Sequence, residues 1–192
     1  MLRYAHGDMR AFEALYRRHR TALYRYLARL TCDTEVANDL FQEVWSKVIA
    51  SRTRYEPRAR FQSFLFRIAH NCFIDYCRRA STQPRAPDAD DTDLQELLPA
   101  PSSEMPDRHA EHAELVARYK AALRALPAEQ RDVFLLHEEA GLSLEEIATI
   151  SGVGSETAKS RLRYALAKLR AALAPPADID VPRTTPVGEP GL

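Results

Sequence analysis

The chain has 192 residues, 45% of them hydrophobic and 28% charged, with 27 Lys and Arg balanced by 27 Asp and Glu. That composition is globular, and it suits one ordinary domain or two small ones. The longest apolar run is far shorter than the ~20 residues of a membrane span, and no secretory leader pattern opens the chain, so a cytoplasmic protein without membrane contact of its own is expected.

The zero net charge hides segments of opposite sign. Residues 1–87 carry 16 basic and 8 acidic side chains, and residues 88–114 carry 1 and 9. Residues 115–173 carry 9 and 7, and residues 174–192 carry 1 and 3. Asymmetry of this kind points to a polyanionic partner for the basic parts.

In chain order, the first expected helix is MRAFEALYRRHRTALYRYLARL, apolar at Phe12, Leu15, Tyr16, Leu23, Tyr26, Leu27 and Leu30. The second is TEVANDLFQEVWSKVIAS. Its wheel gathers Asp39, Gln42, Glu43 and Ser46 opposite Leu40, Phe41, Val44 and Val48. An acidic, amide-bearing face on a basic block is suited to a protein surface carrying arginines rather than to DNA. The connection RTRYEPRAR contains Pro57, which a helix interior rarely tolerates.

The third helix, RFQSFLFRIAHNCFIDYCRRAS, places Phe64, Arg67, Asn71 and Arg78 in one stripe. Such a row suits a nucleic-acid strand: the aromatic stacks on a base, the amide reads a base edge and the guanidiniums hold phosphates. A plainly buried Phe64 beside solvated arginines is the bland alternative.

Residues 83–107 hold five of the twelve prolines and most of the acidic block, and read as a charged linker. A second helical block follows. It contains AEHAELVARYKAALRAL, then PAEQRDVFLLHEEAG with Pro127 at the start and Gly141 at the stop. In GLSLEEIATISGVGSETAKSRLRYALAKLR, Ser143 and Glu146 form a capping-box pattern, SGVG makes a turn, and Ser155 is expected to cap a long last helix. On that helix Ala158, Leu162, Ala165, Leu166, Leu169 and Leu173 form the apolar stripe. Lys159, Arg163 and Arg170 flank it, with Ser160 and Tyr164 beyond them and Arg161 and Lys168 on the other side. Two helices, a Gly-containing turn and a basic second helix make a helix-turn-helix pattern, whose second helix enters the DNA major groove. The rival explanation is a helical hairpin with an ordinary solvated face. Residues 175–192 read as a Pro- and Gly-rich disordered tail.

No P-loop, G-x-S-x-G or H-E-x-x-H is present, so neither an enzyme nor a metal or cofactor site is expected. His109 and His112 have no obvious partner ligands, His137 precedes Glu138 and Glu139 near a helix end without making a metal or catalytic pattern, and Cys32, Cys72 and Cys77 lack metal-ligand spacing and read as reduced core thiols. The expected fold is all-α: two small helical domains, 1–82 and 108–174, joined by a flexible linker, with the helix-turn-helix in the second.

The order of these motifs resembles a bacterial RNA polymerase sigma factor of the sigma-70 family, in its small extracytoplasmic-function (ECF) class. GDMRAFEALYRRH resembles the family's opening segment, DLFQEVWSKV its core-polymerase-binding helix, and RFQSFLFRIAHNCFIDYCRR its minus-ten-reading helix. LPAEQRDVFLLHEEAGLSLEEIATISGVGSETAKSRLRYALAKLR resembles its minus-thirty-five-reading domain, so the likeness runs over about residues 5–173. The resemblance implies region 2 in the first domain and region 4 in the second. Asp39, Gln42 and Glu43 would dock on core RNA polymerase. Arg67 and Asn71, with Arg78 in the same stripe, would contact the minus-ten element, with Phe64 near the point of strand opening where the family usually has Trp. The loop 52–60 would help capture a flipped base. Lys159, Ser160, Arg163 and Tyr164 would face the minus-thirty-five DNA, supported by Arg161 and Glu156. An anti-sigma protein is an expected further partner, and a stress or envelope-response regulon the expected target. The alternative is a free-standing helix-turn-helix regulator whose first block senses or dimerises.

Overall fold

The computed structural model describes residues 1–82 and 106–174. The linker expected over 83–107 therefore lies outside the described residues but for its last two positions, and so does the tail. Within the described residues, eight α-helices follow one another with a single 3₁₀ turn and no strand.

Sharp local stops let the first block fold back on itself. A short helix α1 (Leu2–Ala5), not foreseen from the sequence, buries Tyr4 against Phe12 at 4.9 Å. Asp8 then caps α2 (Met9–Thr31) by accepting from the Ala11 N–H at 3.2 Å. That helix ends at Cys32, a left-handed residue at φ 55°, and Asp33 caps α3 (Thr34–Ala50) at once by accepting from Val36 N–H at 3.0 Å. Two caps in adjacent residues turn the chain with almost no loop. The aromatic periodicity of α2 meets that of α3: Phe12 and Tyr16 pack on Trp45, with ring centroids 5.8 and 5.0 Å away. After the 3₁₀ turn Arg52–Arg54 and the Pro57 loop, α4 (Phe61–Thr82) buries Leu65, Phe66, Ala69, Cys72 and Phe73.

The second block comprises α5 (Pro106–Arg124), α6 (Ala128–Glu138), α7 (Leu144–Ser151) and α8 (Ser155–Leu173). Thus α5 begins inside the span assigned to the linker. Pro127 is the N-cap of α6, and Gly141 follows its end at φ 55°, a conformation that costs a glycine little. Ser143 and Glu146 close the anticipated capping box on α7. Gly152 at φ 65° ends it, while Gly154 caps α8. Ser155 is thus the first helical residue rather than the cap, because Gly154 already has the extended backbone an N-cap needs.

The two blocks do not stand apart. α2 packs on α6 and α4 packs on α7, and the buried residues of both blocks form one continuous apolar cluster. A polar knot crosses the seam. Asp132 of α6, only 5% exposed, accepts from the Tyr26 hydroxyl at 2.6 Å and pairs with His70 Nδ1 at 2.9 Å. Burial and the neighbouring carboxylate push the Tyr26 hydroxyl pKa upward, so it stays a donor. Around the knot, Arg29 bonds Glu139, Gln62 donates to the Ala140 carbonyl, and Arg131 reaches the Cys32 sulfur at 3.0 Å.

Candidate nucleic-acid interface

On α4, Arg67, Asn71 and Arg78 are all exposed on the face opposite the buried Leu65–Phe66–Ala69 surface. Arg78 lies 3.8 Å from Asp75 on the same helix, a loose pairing in solvent. Phe64 departs from the free stripe expected of it. It is half-buried, edge-on to Tyr55 at 5.0 Å and 6.1 Å from Phe61. Three rings thus close the base of the arginine-rich loop, in which Arg58 is clamped to Glu56 at 2.6 Å.

The helix-turn-helix is α7 and α8. Ala148 is 7% exposed at their junction, and the Val153 N–H returns to the Ala148 carbonyl at 3.0 Å, which tightens the turn. The α8 stripe is buried at Ala158, Leu162, Ala165 and Leu169, with Leu166 and Leu173 at its half-buried edge. Opposite it, Glu156, Lys159, Arg163 and Tyr164 face solvent. The Arg163 guanidinium lies over the Tyr164 ring at 5.2 Å, a cation–π contact on the exposed face of α8. Ser160 is half-buried. Arg161 differs from its neighbours, because Glu129 of α6 holds it against the body of the block.

On α3, Asp39 and Gln42 are exposed, but Glu43 is engaged. Lys47 lies 2.7 Å from it and Arg79 3.7 Å, and the Lys47 hydrogen bond is the main force holding its carboxyl below the usual range. Lys47 also reaches the buried Cys72 sulfur at 3.2 Å. None of the three cysteines is in a disulfide, and only Cys72 is in the core; Cys32 is half-exposed at the seam and Cys77 is exposed. Shared helical periodicity does not separate a core cysteine from one at a helix end.

Sequence reasoning missed the groups that join the blocks. Asp132 was findable: it precedes Leu135 and Leu136 by three and four residues, on a face that must be buried. Glu146 takes the capping role its spacing from Ser143 implies, and a second role besides. The same carboxylate accepts from Arg60 Nε at 3.2 Å and Nη2 at 2.6 Å, and from Ser63 Oγ at 2.5 Å, across the seam. The Arg60 hydrogen bond is the largest cause lowering its pKa, to about 2. Among the described residues no group of three or more His, Cys, Asp or Glu is placed to hold a metal, and no helix is long and apolar enough to cross a membrane.

Two exposed basic faces lie on separate helical blocks, one of them in a helix-turn-helix, an arrangement suited to a nucleic-acid partner. Comparison with known proteins narrows the class. Residues 15–83 match the family described as sigma-70 region 2, and residues 117–169 that described as sigma-70 region 4. The chain is 35% identical over 164 residues to the ECF RNA polymerase sigma factor SigM of Mycobacterium tuberculosis, covering 85% of this chain and 77% of that one. It is 32% identical over 170 residues to the RNA polymerase sigma factor CarQ of Myxococcus xanthus, covering 88% and 93%. The fold matches the sigma factor RpoE of Bartonella quintana, solved with the anti-sigma factor NepR, at a TM-score of 0.66 and 24% identity over 86% of this chain and 98% of that one. It also matches CnrH, solved with the cytosolic domain of CnrY, at 0.62 and 25% over 88% and 91%. The chain belongs to the ECF class of the sigma-70 family and directs transcription initiation. A match to region 2 beside region 4 disfavours a free-standing helix-turn-helix regulator.

Proposed function

We propose that residues 1–82 dock on core RNA polymerase and open the minus-ten element, and that residues 108–174 bind the minus-thirty-five element. The linker at 83–107 would set the span between them, and the tail 175–192 carries no assigned role. The supporting observation is that two exposed basic faces lie on different blocks, each within the segment that matches its own sigma-70 region. Arg67 and Asn71 read the separated strand, Arg78 holds backbone phosphate, and Phe64 is the aromatic at the edge of opening, backed by Tyr55. Lys159, Arg163 and Tyr164 enter the upstream groove with Ser160. Glu156 tunes Lys159, 3.8 Å away, and Arg161 braces α8 through Glu129. Asp39 and Gln42 form the polymerase contact, and Glu43 joins it on release from Lys47 and Arg79. The protein acts in the cytoplasm without cofactor or catalysis of its own, as a specificity subunit. Relatives solved with NepR and CnrY support an anti-sigma partner here.

Run-off transcription with purified core polymerase tests the roles. Arg67→Ala and Asn71→Ala should impair opening. Lys159→Ala and Arg163→Ala should weaken upstream binding by ~1–3 kcal/mol for a base contact and less for a phosphate contact. Wild-type transcription from all four variants would refute the assignment.

A further inference from the structure

Between the blocks lies a cleft of about 570 Å³. One wall is the arginine loop and the start of α4, including Arg54, Arg58, Phe64 and Arg67; the facing wall is the first turn of α7, with Glu145 and Glu146. Beside it, the Glu146 carboxylate collects the Arg60 fork at 3.2 and 2.6 Å, the Ser63 hydroxyl at 2.5 Å and the Ser143 N–H at 3.0 Å. A planar guanidinium fork with an added hydroxyl donor is equally the arrangement that receives a phosphate oxygen pair. The loop wall of the cleft thus carries Arg54, Arg58 and Arg67 against one carboxylate, Glu56, while the Arg60 fork beside it is already taken, in this form, by a carboxylate from the other block.

We propose that the first turn of α7 is an internal competitor for nucleic acid: Glu146, with Glu145 beside it, takes the anion position that a DNA phosphate takes once the blocks part. This inference rests on the reading of α4 and the preceding loop as the strand-contacting element. Closure and phosphate binding at the Arg60 fork are then mutually exclusive. The competitor is weak by design of its surroundings, since the Arg60 side chain is 60% exposed and an exposed ion pair contributes little. A strand making several contacts displaces it. The upstream face behaves differently, because Lys159, Arg163 and Tyr164 stay exposed while the blocks are closed. The closed protein thus keeps its duplex-binding helix available and withholds the Arg60 and Ser63 donors beside its strand-contacting face.

The test uses the full chain without polymerase. Fluorescence anisotropy is measured with a mixed-sequence single-stranded DNA and, separately, a mixed-sequence duplex. Glu146→Gln retains an oxygen for the α7 cap but loses the charge pair. It should bind the single strand about two- to fivefold more tightly, the range that loss of one exposed ion pair supports, with duplex affinity unchanged. Glu138→Gln makes the same charge change on α6, away from the cleft, and should change neither affinity. In the wild-type protein, saturation with the single strand should speed hydrogen exchange in the first turn of α7. Equal gains from both variants, no gain from Glu146→Gln, or unchanged exchange in the wild type on strand binding would each overturn the proposal. Run-off transcription separates this from the parent reading. Normal transcripts with unmoved single-strand affinity sink only the competitor, whereas no transcript from the wild type sinks the assigned roles as well.

Discussion

Replacing Asp132 by alanine removes one carboxylate from a buried knot and leaves two partners behind. Tyr26 is 0% exposed and His70 9% exposed, and each loses its hydrogen bond to that carboxylate, at 2.6 and 2.9 Å. A buried polar group left unsatisfied costs about 1–3 kcal/mol, so the closed arrangement should lose about 2–6 kcal/mol. At ~1.4 kcal/mol per tenfold, even the lower end shifts closure about thirtyfold. The cost has an escape route. Tyr26 and His70 sit on α2 and α4, whereas Asp132 sits on α6, so parting of the blocks lets water reach all three sites. The variant should therefore open before it unfolds. Small-angle scattering should give a larger radius of gyration than wild type, with each block's helical circular dichroism preserved. Hydrogen exchange should rise first where α2 meets α6. A variant with the wild-type radius that instead melts early in one cooperative step would refute the reasoning, because the knot would then belong to a single indivisible core.

Other outcomes follow from individual residues. Gly152→Ala places a side chain at φ 65° where no neighbouring atom lies within 4 Å, so its cost is conformational only, about 1–2 kcal/mol, read as a lower melting midpoint. The depressed pKa of Glu146, about 2 against an ordinary 4.5, gives closure a pH window. Its stabilisation is complete above the ordinary value and is lost as pH falls toward about 2, so the stability difference between wild type and Glu146→Gln should shrink over that window in acid titrations. Thiol labelling should rank the cysteines by exposure: Cys77 reacts first, Cys32 later, and Cys72 only on unfolding, since burial removes its access and raises its thiol pKa.

The individual helices and the helix-turn-helix were legible because their signals are local. The apolar stripe of α8, the Ser143–Glu146 box and the Gly152 turn each depend on residues a few positions apart. The exposed members of the expected faces, Arg67, Asn71, Lys159 and Arg163, were readable for the same reason: an angular position on a helix sets which side is wet. Where the expected faces and the structure part, a side chain outside the stripe intervenes, from the same helix or from another. Phe64 belongs to a ring cluster with Tyr55 and Phe61, Glu43 is held by Lys47 and Arg79, and Arg161 is held by Glu129.

The sequence by itself therefore determined two all-helical blocks, the residue types on their wet faces and the family to which they belong. Only the tertiary structure decided that the blocks close on each other. Closure depends on Tyr26, His70 and Asp132 meeting from three helices, and on Arg60 reaching Glu146 across 86 positions of chain. Helical periodicity carries information over a few turns. It marks a carboxylate as facing inward or outward, but which distant cation or hydroxyl completes it is set by how whole helices pack.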